Sequence, residues 1–331
     1  MEESSIEATR LTAAETARRR YLNSLAREGR RTVSAVMTSF NKREDVRKNL
    51  DGLRAQSLPF DEIIVVDNRS GDGTQAMIRA EYPEVHLVEM PDSSYGACET
   101  FNIGFGTASG DLIAILDDDV ILPPDWVRMM LERLAREPDT TAMISSKVTE
   151  PGTPDWYDDD PRVNEERYMA TFRGCATLAK RDVLEKAGWY DERFFIYGNE
   201  RDLSCRILNL GCRILQYPSV VVRHGTPLGM KKSPRSLYFH VRNLWLYLFK
   251  NVSWWQIIGL FLGVFARALG LRKKTVTSDA VGTIGFFSTL RQTPRGFRIC
   301  IKATLNAFCN LPYCLKRRRV CRAPDFALPL K

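Results

Sequence analysis

Three consecutive carboxylates, Asp117, Asp118 and Asp119, follow directly on the apolar run DLIAIL at 111–116. Like charges at roughly 4–6 Å raise one of their pKa values unless a cation intervenes. A divalent metal relieves the crowding. Hard oxygen ligands in a short loop suit Mg2+ or Mn2+, which take one or two protein carboxylates and complete their shell with phosphate oxygens and water. The alternative is a solvated acidic turn ahead of a helix at 123–136, where negative charge complements the helix dipole. A second acidic group stands in FIYGNERDLSCR, 195–206, where Glu200 and Asp202 alternate with Arg201 behind an aromatic run that reads as buried. Charges in that place ask for a role beyond a solvated helix surface. The alternative is an ordinary first-turn acid on a helix.

The elements that must position these residues are legible from residue 32 onward. TVSAVMT (32–38) reads as a strand, and the following helix repeats Val46, Leu50 and Leu53 at i, i+4 and i+7 behind an Asn41 cap. EIIVVD (62–67) is a near-continuous apolar run, as a strand covered on both faces would be. A short helix at 74–82, a strand at 85–88, a helix at 95–108 and a strand at 111–116 continue the alternation, which predicts crossovers and a parallel sheet. Ligands of open parallel sheets sit outside the carboxyl ends of the strands. Three strands end there in polar clusters: Thr38, Ser39 and Asn41; Asp67, Asn68 and Ser70; and the aspartate triplet. Three such coincidences point to one shared pocket.

Composition bounds the partners. The chain has 331 residues, 44% of them hydrophobic, enough for one large α/β domain with an appendage. A net charge of +8 and a pI near 9.1 favour an anionic partner. The basic residues crowd both ends while the middle carries acidic runs, so the one-sided stripe of a nucleic-acid binder is missing and no nucleic-acid partner is expected. Eight cysteines show no CxxC pair and read as buried thiols of a reducing cytosol, with Cys300, Cys309, Cys314 and Cys321 the one cluster of note. The opening MEESSIEATR is charged where a signal peptide would be apolar, and residues 1–31 read as a polar helix or arm.

Three blocks then resemble a known family in order and spacing: SAVMTSFNKREDVRKNLDGLRAQSLPFDEIIVVDNRSGDGT, FNIGFGTASGDLIAILDDDVILPPDWV and RGCATLAKRDVLEKAGWYDERFFIYGNERDLSCRI. Over residues 32–245 the chain looks like a family 2 glycosyltransferase, with rhamnosyltransferase-like members among the closest in pattern. The resemblance implies a GT-A α/β fold with a mostly parallel central sheet flanked by helices and a helical extension after 245. It implies inverting sugar transfer from a nucleoside-diphosphate donor, a UDP- or dTDP-sugar, to a glycan or lipid-linked acceptor, with Mg2+ or Mn2+ on the diphosphate. Cell-surface polysaccharide or glycolipid assembly is the family's common setting.

Carried over by position, the resemblance makes Asp119 the direct metal ligand and places Asp117 on the ribose or the metal. Asp67, with Asn68 beside it, would contact the base; Thr38, Ser39 and Asn41 would line the nucleotide pocket. Gly96 and Asn102 would pack by the donor, or serve as a turn and a helix cap. Glu200 takes the position of the catalytic base, with Asn199 replacing the acid that usually precedes it and Asp202 expected to cap a helix at 203–210. Arg201, Arg206 and the RHG at 223–225 are candidate cations for the leaving diphosphate. His224 is a third metal ligand in several family members, or else a hydrogen-bonded residue at a strand end. Trp156 and Tyr157, in an acidic Pro/Gly loop, are candidates to stack on the acceptor sugar, though a merely hydrated loop fits equally.

Beyond 245 the chain mixes aromatics with cations. The thirteen apolar residues at 254–266 are too few for a bilayer span, where about twenty are needed. Trp at one end and RKK beyond the other suit a helix lying in a membrane interface. This predicts peripheral attachment at the cytoplasmic face, the alternative being a core or dimer helix. Two rival functions remain at this level: a nucleotidyltransferase making nucleotide sugars, whose Gly-rich phosphate loop TSFNKRED lacks, and a non-catalytic nucleotide-sugar or membrane-binding protein.

Overall fold

The computed structural model describes residues 30–153, 157, 159–227, 229, 231–268 and 286–328. Nearly all of the arm expected at 1–31, and Trp156, lie outside the described residues. In chain order the strands are β1 (Val33–Ser39), β2 (Glu62–Asp67), β3 (His86–Glu89), β4 (Leu112–Leu116), β5 (Val120–Ile121), β6 (Thr141–Thr149), β7 (Arg167–Tyr168), β8 (Ala176–Lys180) and β9 (Arg213–His224). They form one sheet in the order β3-β2-β1-β4-β8-β6-β9-β5, with β7 added to β9.

The first half of that sheet is parallel, as the strand and helix rhythm predicts: β1 lies between β2 and β4, and β3 follows β2. Both faces are covered. Val33, Ala35 and Met37 enter one apolar cluster with α1 (Arg43–Arg54), whose Val46, Leu50 and Leu53 are buried, while Val36 enters the other with α3 (Ala97–Thr107). Helix α2 (Thr74–Glu81) links β2 to β3, and α4 (Trp126–Ala135) follows β5. The second half is mixed rather than parallel. β8 runs antiparallel to both β4 and β6, β9 is parallel to β6, and the short β5 and β7 pair antiparallel with β9. β8 therefore enters the sheet beside the triplet from the opposite direction, bringing its preceding loop to the strand ends where Asp117 begins.

Two expected caps are not made. Asn41 has φ 52° and its Oδ1 accepts from the Gly71 amide at 2.8 Å, tying two loops together instead of closing the first turn of α1. The helix expected at 203–210 begins earlier, as α7 (Asn199–Asn209), because Gly198 at φ 74° supplies the left-handed turn that ends the aromatic loop. Asp202 consequently sits inside the helix and fully buried. Between β6 and α7 lie α5 (Pro161–Asn164) and α6 (Arg181–Ala187).

The boundary expected after residue 245 falls inside a continuous helix, α8 (Pro234–Asn251), which packs on α7 and shares its core. It is followed by α9 (Trp254–Ala268), α10 (Phe286–Gln292), α11 (Gly296–Cys309) and α12 (Leu311–Lys316). The tail returns to the catalytic half: the Arg319 and Cys321 amides donate to the carbonyls of Lys250 and Asn251, and Arg213 pairs with Asp325 at 2.8 Å. The eight cysteines are free thiols, with Cys314 and Cys321 buried in this junction. Among the described residues no helix is long and apolar enough to cross a membrane.

Candidate functional site

The acidic triplet is held by the sheet itself. After β4 ends at Leu116, β5 pairs Val120 with His224 and Ile121 with Arg223, drawing the turn against the end of β9. The Gly225 amide donates to the Asp119 carbonyl at 2.9 Å, and the Asn49 amide nitrogen donates to the Asp117 carbonyl at 2.7 Å. His224 Nε2 then lies 3.0 Å from Asp119 Oδ1 and 3.4 Å from Asp117 Oδ2. One ligand atom from each of Asp117, Asp119 and His224 falls within 4.8 Å of the others.

Three observations fit this trio to a divalent cation. Asp119 Oδ1 is buried and its near polar neighbour is His224 Nε2 at 3.0 Å; two lone pairs meeting there are an expensive condition unless a cation or a proton stands between them. Two hard oxygens and one imidazole nitrogen suit Mn2+ or Mg2+. Finally, His224 Nδ1 lies 2.8 Å from Glu150 Oε1; a proton held there leaves the Nε2 lone pair facing the aspartates. With protons alone in the site, burial works against a charged His224, but hydrogen bonds to Asp117, Asp119 and Glu150 outweigh it and raise the imidazole pKa well above 6.5. Burial likewise opposes charge on Asp119, whose carboxyl is nevertheless held below its ordinary range by His224, Lys42 and Thr226.

Asp118 plays a different part. Lys42 Nζ bridges it at 3.0 Å and Asp119 Oδ2 at 2.9 Å, while Thr226 Oγ1 donates to the same Asp119 oxygen at 2.7 Å. Burial pushes the Asp118 carboxyl up to about 6, against the pull of Lys42. The member of the triplet with the raised pKa is thus the one outside the metal-ligand trio.

Glu150 is absent from the sequence reading, and its partnership with His224 comes from the parallel register of β6 and β9, which sets Thr149 beside Arg223. Glu150→Gln is expected to weaken Mn2+ binding about 10–100-fold, the usual cost of removing a carboxylate behind a ligating histidine. Titration of the protein with Mn2+, followed by calorimetry or by loss of the free-ion EPR signal, measures it; unchanged affinity would remove Glu150 from the site.

Glu200 arrives from the other side of the same edge. The β4–β8 register pairs Leu116 with Ala176, so Gly174 lies across from the aspartates that follow Leu116. A Cβ on Gly174 would stand 2.7 Å from Glu200 Oε1, which shows how closely the carboxylate passes this backbone and why the position takes glycine. Burial raises the Glu200 pKa above 4.5, and the negative charge of Asp117 adds to the rise; Asn199, standing where the family usually has an acid, hydrogen-bonds the carboxylate and opposes it.

The loop that delivers Glu200 is clamped from α8. Asn243 Nδ2 donates to the carbonyls of Phe194, Ile196 and Tyr197 at 2.8, 2.7 and 2.8 Å. That clamp holds two non-glycine residues, Phe195 and Tyr197, at φ 66° and 67°. Phe195 stacks on Phe239 and Tyr197 on His240. Asn102 is neither a cap nor turned to a donor: its amide exchanges hydrogen bonds with the backbone of Tyr190, holding the same loop from the donor half. Gly96 allows that loop to approach, since a Cβ there would lie 2.6 Å from the Phe195 carbonyl.

Beneath Glu200, Asp202 receives Lys250 at 2.7 Å, Arg206 at 3.1 Å and Asn251 at 2.8 Å, while Lys250 also reaches Asp191 at 2.5 Å. Arg206 additionally donates to the Ala187 carbonyl. It is thereby committed to the support of α7, away from the role of a diphosphate cation.

The strand-end residues expected on the nucleotide lie together at the ends of β1 and β2, bonded to one another. Asp67 is fully buried and accepts from Ser39 Oγ, from the Ser70 amide and hydroxyl, and from Gln75 Nε2, at 2.6–2.8 Å. Four donors fill its acceptor sites, so it organises Ser39 and Ser70, and contact with a base requires one donor to leave. Asn68 Nδ2 donates to the Tyr95 carbonyl at 3.0 Å, and its Oδ1 is buried without a partner. Thr38 is partly exposed at the end of β1. Tyr157 is not a sugar platform: it is 4% exposed and its hydroxyl donates to the Val148 carbonyl at 3.2 Å, because the loop folds this ring inward.

Residues 34–194 match the family model described as Glycosyl transferase family 2. The chain is 34% identical over 102 residues to the succinoglycan biosynthesis protein ExoO of Rhizobium meliloti, covering 30% of this chain and 29% of that one. It is 27% identical over 244 residues to an N-acetylglucosaminyl-diphospho-decaprenol L-rhamnosyltransferase of Mycobacterium tuberculosis, covering 59% and 76%. It spans about a third of the length of two of the curated relatives it matches. A solved structure of the mannosyltransferase PcManGT from Pyrobaculum calidifontis with GDP-Man and Mn2+ superposes with a TM-score of 0.52 at 20% identity, over 87% of this chain and 73% of that one. At that identity the likeness establishes the GT-A fold.

Proposed function

Residues 34–194 belong to glycosyl transferase family 2, and on that premise we propose that the protein moves a sugar, with inversion, from a nucleoside diphosphate to an acceptor hydroxyl. One observation carries the reading: Glu200, a carboxylate with a raised pKa, packs against Gly174, directly across the sheet from the turn that gathers Asp117, Asp119 and His224.

In this reading Asp117, Asp119 and His224 hold Mn2+ or Mg2+, which supplies Lewis acidity to the departing diphosphate. Glu150 holds the His224 proton on Nδ1. Lys42 ties Asp118 to Asp119. Glu200 accepts the proton of the attacking hydroxyl, and the enclosure that raises its pKa makes it a stronger base than a free carboxylate. Thr38, partly exposed at the end of β1, lines the nucleotide pocket, with Ser39, arranged by Asp67, and the unpaired side-chain oxygen of Asn68 buried beside it. A purely binding protein has no use for an enclosed base beside a metal trio.

The donor is a UDP- or dTDP-sugar and the acceptor a glycan or a lipid-linked sugar, placing the enzyme in cell-surface polysaccharide or glycolipid assembly, peripheral to the cytoplasmic face of the membrane. Support comes from the relative named for rhamnosyl transfer to a decaprenol-linked sugar and from a structural neighbour, TarS of S. aureus, solved with UDP. A panel of nucleotide sugars tested by thermal shift with and without Mn2+ decides the donor. The cognate one, at about 100 times its Kd, is expected to raise Tm by roughly 5 °C. Asp119→Asn is expected to abolish the Mn2+-dependent part of that shift; a shift that survives in this variant counts against the metal assignment.

A further inference from the structure

Residues 203–331 contain 22 Lys and Arg against two Asp and no Glu, whereas the preceding part of the chain is net acidic. The same region is apolar on its outside. In α9, Ile257 and Leu260 face the core, yet Trp254, Trp255, Ile258 and Leu262 stand on the opposite side, Trp255 exposed to 83% and Leu262 to 64%. In α11, Ala303 and Ala307 are buried, and Phe297, Ile301, Leu305 and Phe308 form a single outer stripe at i, i+4, i+8 and i+11. Ten of the fourteen exposed large apolar side chains among the described residues lie beyond residue 253. A water-facing helix would carry polar residues at these positions.

The two stripes meet at one end. The Phe249 ring lies 6.2 Å from Trp254 and 5.2 Å from Phe308, joining the start of α9 to the end of α11. Cations edge it: Arg298 and Lys302 are exposed one position on from Phe297 and Ile301, and Arg318 lies over the Trp254 ring at 4.4 Å. Lys316, Arg317 and Arg319 are exposed just beyond.

We propose that this face of α9 and α11 seats on an anionic lipid bilayer, its apolar stripes entering the acyl boundary while the flanking cations meet headgroup phosphates. This deepens the reading of a lipid-linked acceptor and rests on it for its purpose. Nucleic acid would satisfy the cations and leave the apolar stripes in water. A second copy of the chain seated by this same face would set cation against cation across a twofold axis, where residues 203–331 offer two Asp against 22 cations.

The test uses the full chain in flotation with phosphatidylcholine vesicles, with and without phosphatidylglycerol. Binding is expected only to the anionic vesicles and is expected to weaken as salt rises. Phe297→Ser with Leu305→Ser is expected to lower affinity at least about tenfold from lost apolar burial, and Arg298→Glu with Lys302→Glu to abolish the salt-sensitive part. Both pairs are exposed, so an unchanged Tm verifies that the variants fold. Absence of vesicle binding, equal binding by wild type and variants, stronger retention by duplex DNA, or a dimer in light scattering that Phe297→Ser disperses would each overturn the proposal. The nucleotide-sugar thermal shift is recorded on the same samples: vesicle binding without any shift supports this surface and counts against the transferase, and a shift without vesicle binding does the reverse.

Discussion

Glu200→Gln is expected to lower kcat by about 10²–10⁴-fold, the range for removing a positioned general base, while the Mn2+-dependent binding of the donor stays as it was. Glutamine keeps the shape of the side chain beside Gly174 and removes its ability to take a proton. Steady-state rates and the thermal shift measured on the same preparation check both halves. Undiminished turnover would take Glu200 out of the mechanism. The pH profile gives an independent reading. Burial, with Asp117 adding to it, raises the Glu200 pKa above 4.5. The base works only when ionised, so kcat/KM is expected to fall with decreasing pH while still above the ordinary carboxylate range. A bound cation beside Asp117 removes part of the repulsion and leaves burial as the cause.

Asp202→Ala is the substitution expected to cost most in stability, about 3–5 kcal/mol, because it strands buried partners without their counter-charge. Lys250, 3% exposed, keeps Asp191 as its one ion-pair partner, and the Asn251 amide keeps only the longer bond to the Tyr247 carbonyl at 3.3 Å. Burial opposes the Asp202 charge, but Arg206, Lys250 and Asn251 outweigh it and hold the pKa below 3.8. The native state therefore favours the ionised form, and this contribution is present above pH 3.8 and lost as pH falls through the lower, folded value. Urea denaturation at neutral pH measures the loss. The double variant Asp202→Ala with Arg206→Met is expected to recover part of it, since Lys250 keeps Asp191 and Arg206 is the cation left without a counter-charge. A single variant as stable as wild type would show the network to be worth nothing net.

The parts of this molecule legible in its sequence were those with a local signature. Buried parallel strands read as runs such as EIIVVD, and each ends in a polar cluster, so β1, β2 and β4 and the residues after them could be placed. Asp117, Asp119, Glu200 and His224 were singled out through the resemblance to the family, and the structure brings the first, second and fourth to within ligand reach of one another. What escaped depends on register or on distant pairing. Glu150 meets His224 only because β6 and β9 run parallel in one alignment. Asp67 is saturated by Gln75 and Ser70, whose polarity alone says nothing about direction. Tyr157 turns inward against a strand carbonyl, and the aromatic character that suggested sugar stacking serves packing equally well. The boundary expected after residue 245 falls within a helix because the change to basic, aromatic composition happens along α8 itself, whose inner side holds Asn243 and Lys250.

That helix limits how the protein can be recombined with its relatives. A hybrid joined at residue 245 would take Lys250 and Asn251 from a stranger while keeping Asp191 and Asp202, and one joined ahead of Asn243 would exchange the amide that aims the loop before Glu200. The carboxy-terminal helices are therefore no detachable address label: whatever surface they recognise, they travel with the aim of the proton acceptor, and inheritance must keep the two together.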